Sequence, residues 1–166
     1  MCVIKEWDMT ESLEEIKILA MKVQESAFHK YKEEIFKAWK LTYLLLDFVE
    51  EQGMLTLQEK LENLKKSNVP LIDILTNVIL LLVDGEKLNI IIEIMINDFY
   101  TRKLQNQEIY FAYLYMICIK EIKQDSYNLL LDFPKRKFAN KWVQNHFFLV
   151  PEKYQRELLE YIEKRV

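Results

Sequence analysis

Only two glycines, Gly53 and Gly85, and three prolines occur among 166 residues. So few breakers leave few places for the chain to turn, and they exclude any glycine-rich phosphate-binding loop of the P-loop or dinucleotide type. Cysteine is equally scarce. Cys2 and Cys118 form neither a disulfide framework nor a zinc-ligand spacing, and a reducing compartment suits both. Two histidines, His29 and His146, stand far apart without a metal-binding interval, and no Ser or Cys lies in a nucleophile motif. The reading is of a chain without cofactor or metal and without catalytic activity. The longest uncharged run, Ile109 to Ile119, is much shorter than the ~20 residues a membrane-spanning helix needs. The N-terminus carries no apolar stretch of signal-peptide length. A soluble, cytoplasmic protein without a membrane span is expected.

What the chain does have is apolar residues at helical spacing. Hydrophobic residues make up 51% of it and aromatics 13%, which is globular composition with a large, partly polar-tipped core. Asp8 and Glu11 read as a capping box opening a helix with Leu13, Ile16, Ala20 and Val23 on one face. His29 marks a break. A second helix is expected from about residue 30 to 52, and Gly53 ends it. Thr56 and Glu59 read as another capping box opening a short helix, and Pro70 as the first turn of the next, from about 71 to Val83. Asp84-Gly85 is a turn. A helix from Glu86 to Lys103 carries the narrow polar stripe Glu86, Asn89, Glu93 and Asn97, which reads as a solvated face rather than as metal ligands, because the Glu-x-x-His motif of di-metal bundles is absent. The run 109–119 has no polar stripe beyond tyrosine hydroxyls, so residues 71–119 are expected at the centre. Brief helices follow at 126–132 and 135–146. A last helix after Pro151 has Tyr154, Leu158, Tyr161 and Ile162 inward, with Glu152–Arg156 and Glu160–Lys164 paired outside. No strand alternation persists. The expected fold is all-α: a single compact domain over 1–166, a bundle of seven to nine helices around an apolar central layer.

Residues 51–59 (EQGMLTLQE), the helix that follows them, and the turn Leu82-Val83-Asp84-Gly85 resemble the cytoplasmic segment of the flagellar stator family MotA. The resemblance covers about residues 37–98, and both glycines fall on the family's glycine positions. It implies a protein–protein contact module associated with the flagellar motor. It also carries departures. The family's transmembrane helices have no counterpart here, so ion conduction is excluded. Glu50 stands where the family has a basic residue and Gln58 where it has an acidic one. A reversed sign opposes binding to the same rotor surface. Glu50, Glu51 and Gln58 are therefore partner-contact candidates on an altered surface.

A second candidate surface is basic. Lys135, Arg136, Lys137 and Lys141 lie in a stretch with no acidic residue between Asp132 and Glu152, interleaved with Phe133, Phe138, Trp142, Phe147 and Phe148. Such a pattern can bind single-stranded nucleic acid, but an amphipathic helix with its aromatics inward explains it more simply. The net charge of −3 gives no general attraction to a polyanion. Beside the stator-like reading stands an unrelated helical adaptor or regulatory protein that holds a partner helix or peptide. Neither reading fixes an oligomeric state.

Overall fold

The computed structural model describes residues 9–125 and 138–164. Seven α-helices lie among them, with no strand: α1 (Met9–Gln52), α2 (Leu61–Lys65), α3 (Ile72–Val83), α4 (Leu88–Thr101), α5 (Gln107–Asp125), α6 (Phe138–Asn145) and α7 (Glu152–Glu163). Short 3₁₀ runs precede α2 (Met54–Lys60) and α7 (Phe147–Leu149). One apolar cluster takes in residues from every helix, so the all-α bundle expected from periodicity is the fold observed.

The break expected at His29 is present as a kink, across which the expected first two helices run on as α1. The helical conformation breaks at Tyr31 (φ −129°, ψ 34°), two residues beyond His29, with neither Pro nor Gly nearby. Phe28 and Phe36 lie on either side of this bend, and both pack onto α7. Phe28 stacks on Tyr154 at 5.2 Å, and Phe36 meets Tyr161 at 5.5 Å.

The centre is narrower than residues 71–119. From Tyr110 to Ile119 every side chain is buried, so α5 is the interior helix, and its most extensive packing is against α1. By contrast α3 and α4 each keep an exposed face, with Leu80 and Ile94 in solvent. On α4 the polar stripe behaves as a solvated face: Asn89, Glu93 and Asn97 are exposed.

Aromatic side chains bind the layers. Trp39 of α1 and Trp142 of α6 are fully buried with ring centroids 5.5 Å apart. The Trp39 indole N–H donates to the Tyr110 hydroxyl (2.8 Å), which donates to the Leu149 carbonyl (2.9 Å). This buried chain joins α1, α5 and the turn before α7. Each polar atom in it is satisfied, which is what makes a buried polar network stabilising rather than costly. Burial pushes the Tyr110 hydroxyl far above its ordinary range.

The helix ends show where local rules hold. Gly85 (φ 82°) closes α3 in a Schellman turn, with the Glu86 N–H donating to the Leu81 carbonyl (3.0 Å) and the Gly85 N–H to the Leu82 carbonyl (3.1 Å). Pro70 does not open α3. Its carbonyl accepts a hydrogen bond from the buried Tyr115 hydroxyl at 2.7 Å, and Leu71 takes a left-handed conformation (φ 59°) before the helix starts at Ile72. On α7, Arg156 faces Glu160 at 3.9 Å rather than Glu152, and the Lys164 carbonyl accepts from the Lys40 ammonium. The first capping box and the helix expected at 126–132 lie outside the described residues.

Candidate partner-docking groove

Gly53 determines the shape of this site. Its N–H donates to the Val49 carbonyl at 2.8 Å, and its backbone (φ 88°, ψ 160°) lies in a region open essentially to glycine alone. The chain therefore leaves α1 and runs back along its last turns. Thr56 does not cap a helix here. Its hydroxyl lies inside the 3₁₀ run and donates back to the Gly53 carbonyl at 2.7 Å, because a Thr side chain readily bonds a carbonyl three residues earlier. Buried Leu57, Leu61 and Leu64 then anchor the returning segment.

Between this segment and α1 a cleft of about 360 Å³ remains open. Its apolar floor is Leu41, Leu44, Leu45, Phe48 and Leu64, and its polar rim is Asp47, Glu51, Lys60, Asn63 and Ser67. Leu44 is 49% exposed. The Lys60 ammonium lies 5.0 Å from the centre of the Phe48 ring, a cation–π contact that holds the charged head at the rim. The Tyr43 hydroxyl on this part of α1 is pushed above its ordinary value, first by burial and then by the carboxylates of Asp47, Glu163 and Glu50. The electrostatic character at the end of α1 is thus acidic, and α1 has no basic residue in its last turn to offset its own dipole.

Of the described residues singled out from sequence, Glu51 alone lines this cleft. Glu51 is exposed on its rim. Glu50, its neighbour, is buried, with 8% of its surface accessible. Gln58 is exposed on the 3₁₀ run without lining the cleft. Lys141 is exposed on α6. Lys135, Arg136 and Lys137 lie outside the described residues. The cleft's apolar floor was missed by the sequence reading. Its signal was the run Leu44-Leu45-Leu46, which holds more leucine than one inward face of a helix requires.

Other reactive groups are accounted for by packing. Cys118 is a buried thiol whose ionisation is driven upward by burial. The His146 Nδ1–H donates to the Trp142 carbonyl at 2.8 Å, and burial holds its pKa below the ordinary value. Among the described residues no three His, Cys, Asp or Glu side chains gather as metal ligands, and no helix is long and apolar enough to cross a membrane. Comparison with known proteins found no matching family profile, curated protein or solved structure.

Proposed function

We propose that this protein is a non-catalytic interaction module of the cytoplasm that seats an amphipathic helix of a partner protein in the cleft between the end of α1 and the segment after Gly53. The observation that carries this reading is the half-exposed Leu44 beside the partly buried Leu41 and Phe48 inside a polar rim. Recognition surfaces share that anatomy, an apolar centre that excludes water within a polar border. A partner helix would present apolar anchors at i, i+3 and i+4 to the floor. The Glu51 carboxylate then favours a Lys or Arg on the flank of that helix.

The test is affinity capture from the source cells with the wild-type chain and with Leu44→Glu in parallel. A partner recovered by the wild type and lost with the variant, at unchanged melting temperature, supports the reading. Equal recovery with both chains overturns it. The identity of a captured partner separates the two forms of the proposal: a rotor or stator protein favours the motor-associated form that the resemblance implies, and an unrelated protein favours a general adaptor.

A further inference from the structure

The rim of the groove is not uniform in charge. On the α1 side it is Asp47 and Glu51, one turn apart. They stand at the end of a helix whose last turn holds no basic residue to offset the negative end of its dipole. On the other side, which the segment after Gly53 contributes, the polar lining is Lys60, Asn63 and Ser67, with no carboxylate among them. Lys60 is exposed, yet its ammonium is drawn in over the floor, 5.0 Å from the centre of the Phe48 ring. An apolar side chain that seats on that face of Phe48 displaces the ammonium from its cation–π contact.

We propose that Lys60 is a specificity gate of the groove: the helix seated there carries a carboxylate on its Lys60 flank and a Lys or Arg on the opposite flank, facing Glu51. This inference rests on the groove being a helix-binding site. A carboxylate beside Lys60 exchanges the cation–π contact for a charge-assisted hydrogen bond. The exchange comes as the partner's apolar face expels water from the cleft, which strengthens the new pair. A basic residue at the same place meets a like charge and is rejected, and an acidic residue opposite Glu51 is rejected for the same reason. The two flanks of an apolar helix stripe lie on opposite sides of it. A helix with one acidic and one basic flank therefore satisfies both walls, whereas a helix with like flanks satisfies one and opposes the other.

The test uses three synthetic helical peptides that share one leucine stripe. The first has Glu on one flank and Lys on the other, the second Lys on both, the third Glu on both. In fluorescence anisotropy at low salt, the full chain should bind the mixed peptide roughly tenfold more tightly than either uniform one. Lys60→Glu makes both walls acidic, so it should shift the tightest binding to the peptide with Lys on both flanks, at unchanged melting temperature. Leu44→Glu, which disrupts the floor, should abolish binding of the mixed peptide. Equal binding of all three peptides, or a ranking that Lys60→Glu leaves unchanged, overturns the gate while the groove remains a binding site. Binding that survives Leu44→Glu, or no binding of any peptide, overturns the groove reading and the gate with it.

Discussion

Trp39 and Leu46, on one side of the second half of α1, are fully buried, whereas Leu44 stands 49% exposed at the mouth of the groove. The buried side meets α5, whose aromatic residues interlock with it through the Trp39–Tyr110–Leu149 hydrogen-bond chain. The open side meets a short segment pinned by three leucines and turned by one glycine. Both sides carry large apolar residues and differ in what covers them. A helix side packed by a long neighbour contributes to stability, and one only partly covered stays open to solvent.

The largest test of this contrast is at the buried side. Trp39→Ala should cost about 3–5 kcal/mol in urea unfolding, since it removes a large buried side chain and breaks the hydrogen bond to Tyr110. A loss no larger than that of a surface substitution would erase the distinction between the two sides. Gly53→Ala comes next. A Cβ there meets nothing within 4 Å, so the penalty is conformational, about 1–3 kcal/mol, and partner capture should fall with it because the returning segment forms one wall of the groove.

His146 gives a smaller effect with a definite sign. Burial lowers its folded pKa below the unfolded value of 6.5, so the neutral ring is the form the fold prefers. The stability it contributes is complete above pH 6.5 and declines as pH falls through that value towards the folded pKa. Melting temperature should therefore drop on mild acidification, and His146→Gln should flatten that part of the profile. Smallest of all, Leu44→Ser should change stability by no more than about 0.5 kcal/mol, which is the expected behaviour of a leucine not used by the core.

These contrasts also show how far the sequence can be read. The breaks at Gly53 and Gly85, the interior character of residues 109–119 and the inward stripe of α7 are all visible in it, because positive-φ helix ends and helical periodicity are local properties. The groove is not. Leu44, Leu45 and Leu46 are alike in sequence, and only the path of the chain after Gly53 decides which of them remains uncovered. Thr56-x-x-Glu59 has the pattern of a capping box, but its hydroxyl bonds back to Gly53, so a local rule was overridden by the turn before it. Glu50 and Glu51 were equivalent surface candidates, and a rotation of one residue along α1 buries the first and places the second on the rim. The sequence places the bend of α1 at His29, two residues before Tyr31, but does not show the packing of Phe28 and Phe36 on a helix more than a hundred residues later in the chain.

The central claim is that the groove, and not surface apolarity in general, recruits a partner. The most direct measurement places a photo-crosslinking benzoylphenylalanine at Leu44 and, as a control, at Leu80, which is similarly exposed (41%) but lies on α3 outside the groove. Irradiation in the source cells should yield a discrete crosslinked species from position 44 and none from position 80. Crosslinks of equal yield from both positions, or none from position 44, would contradict the account.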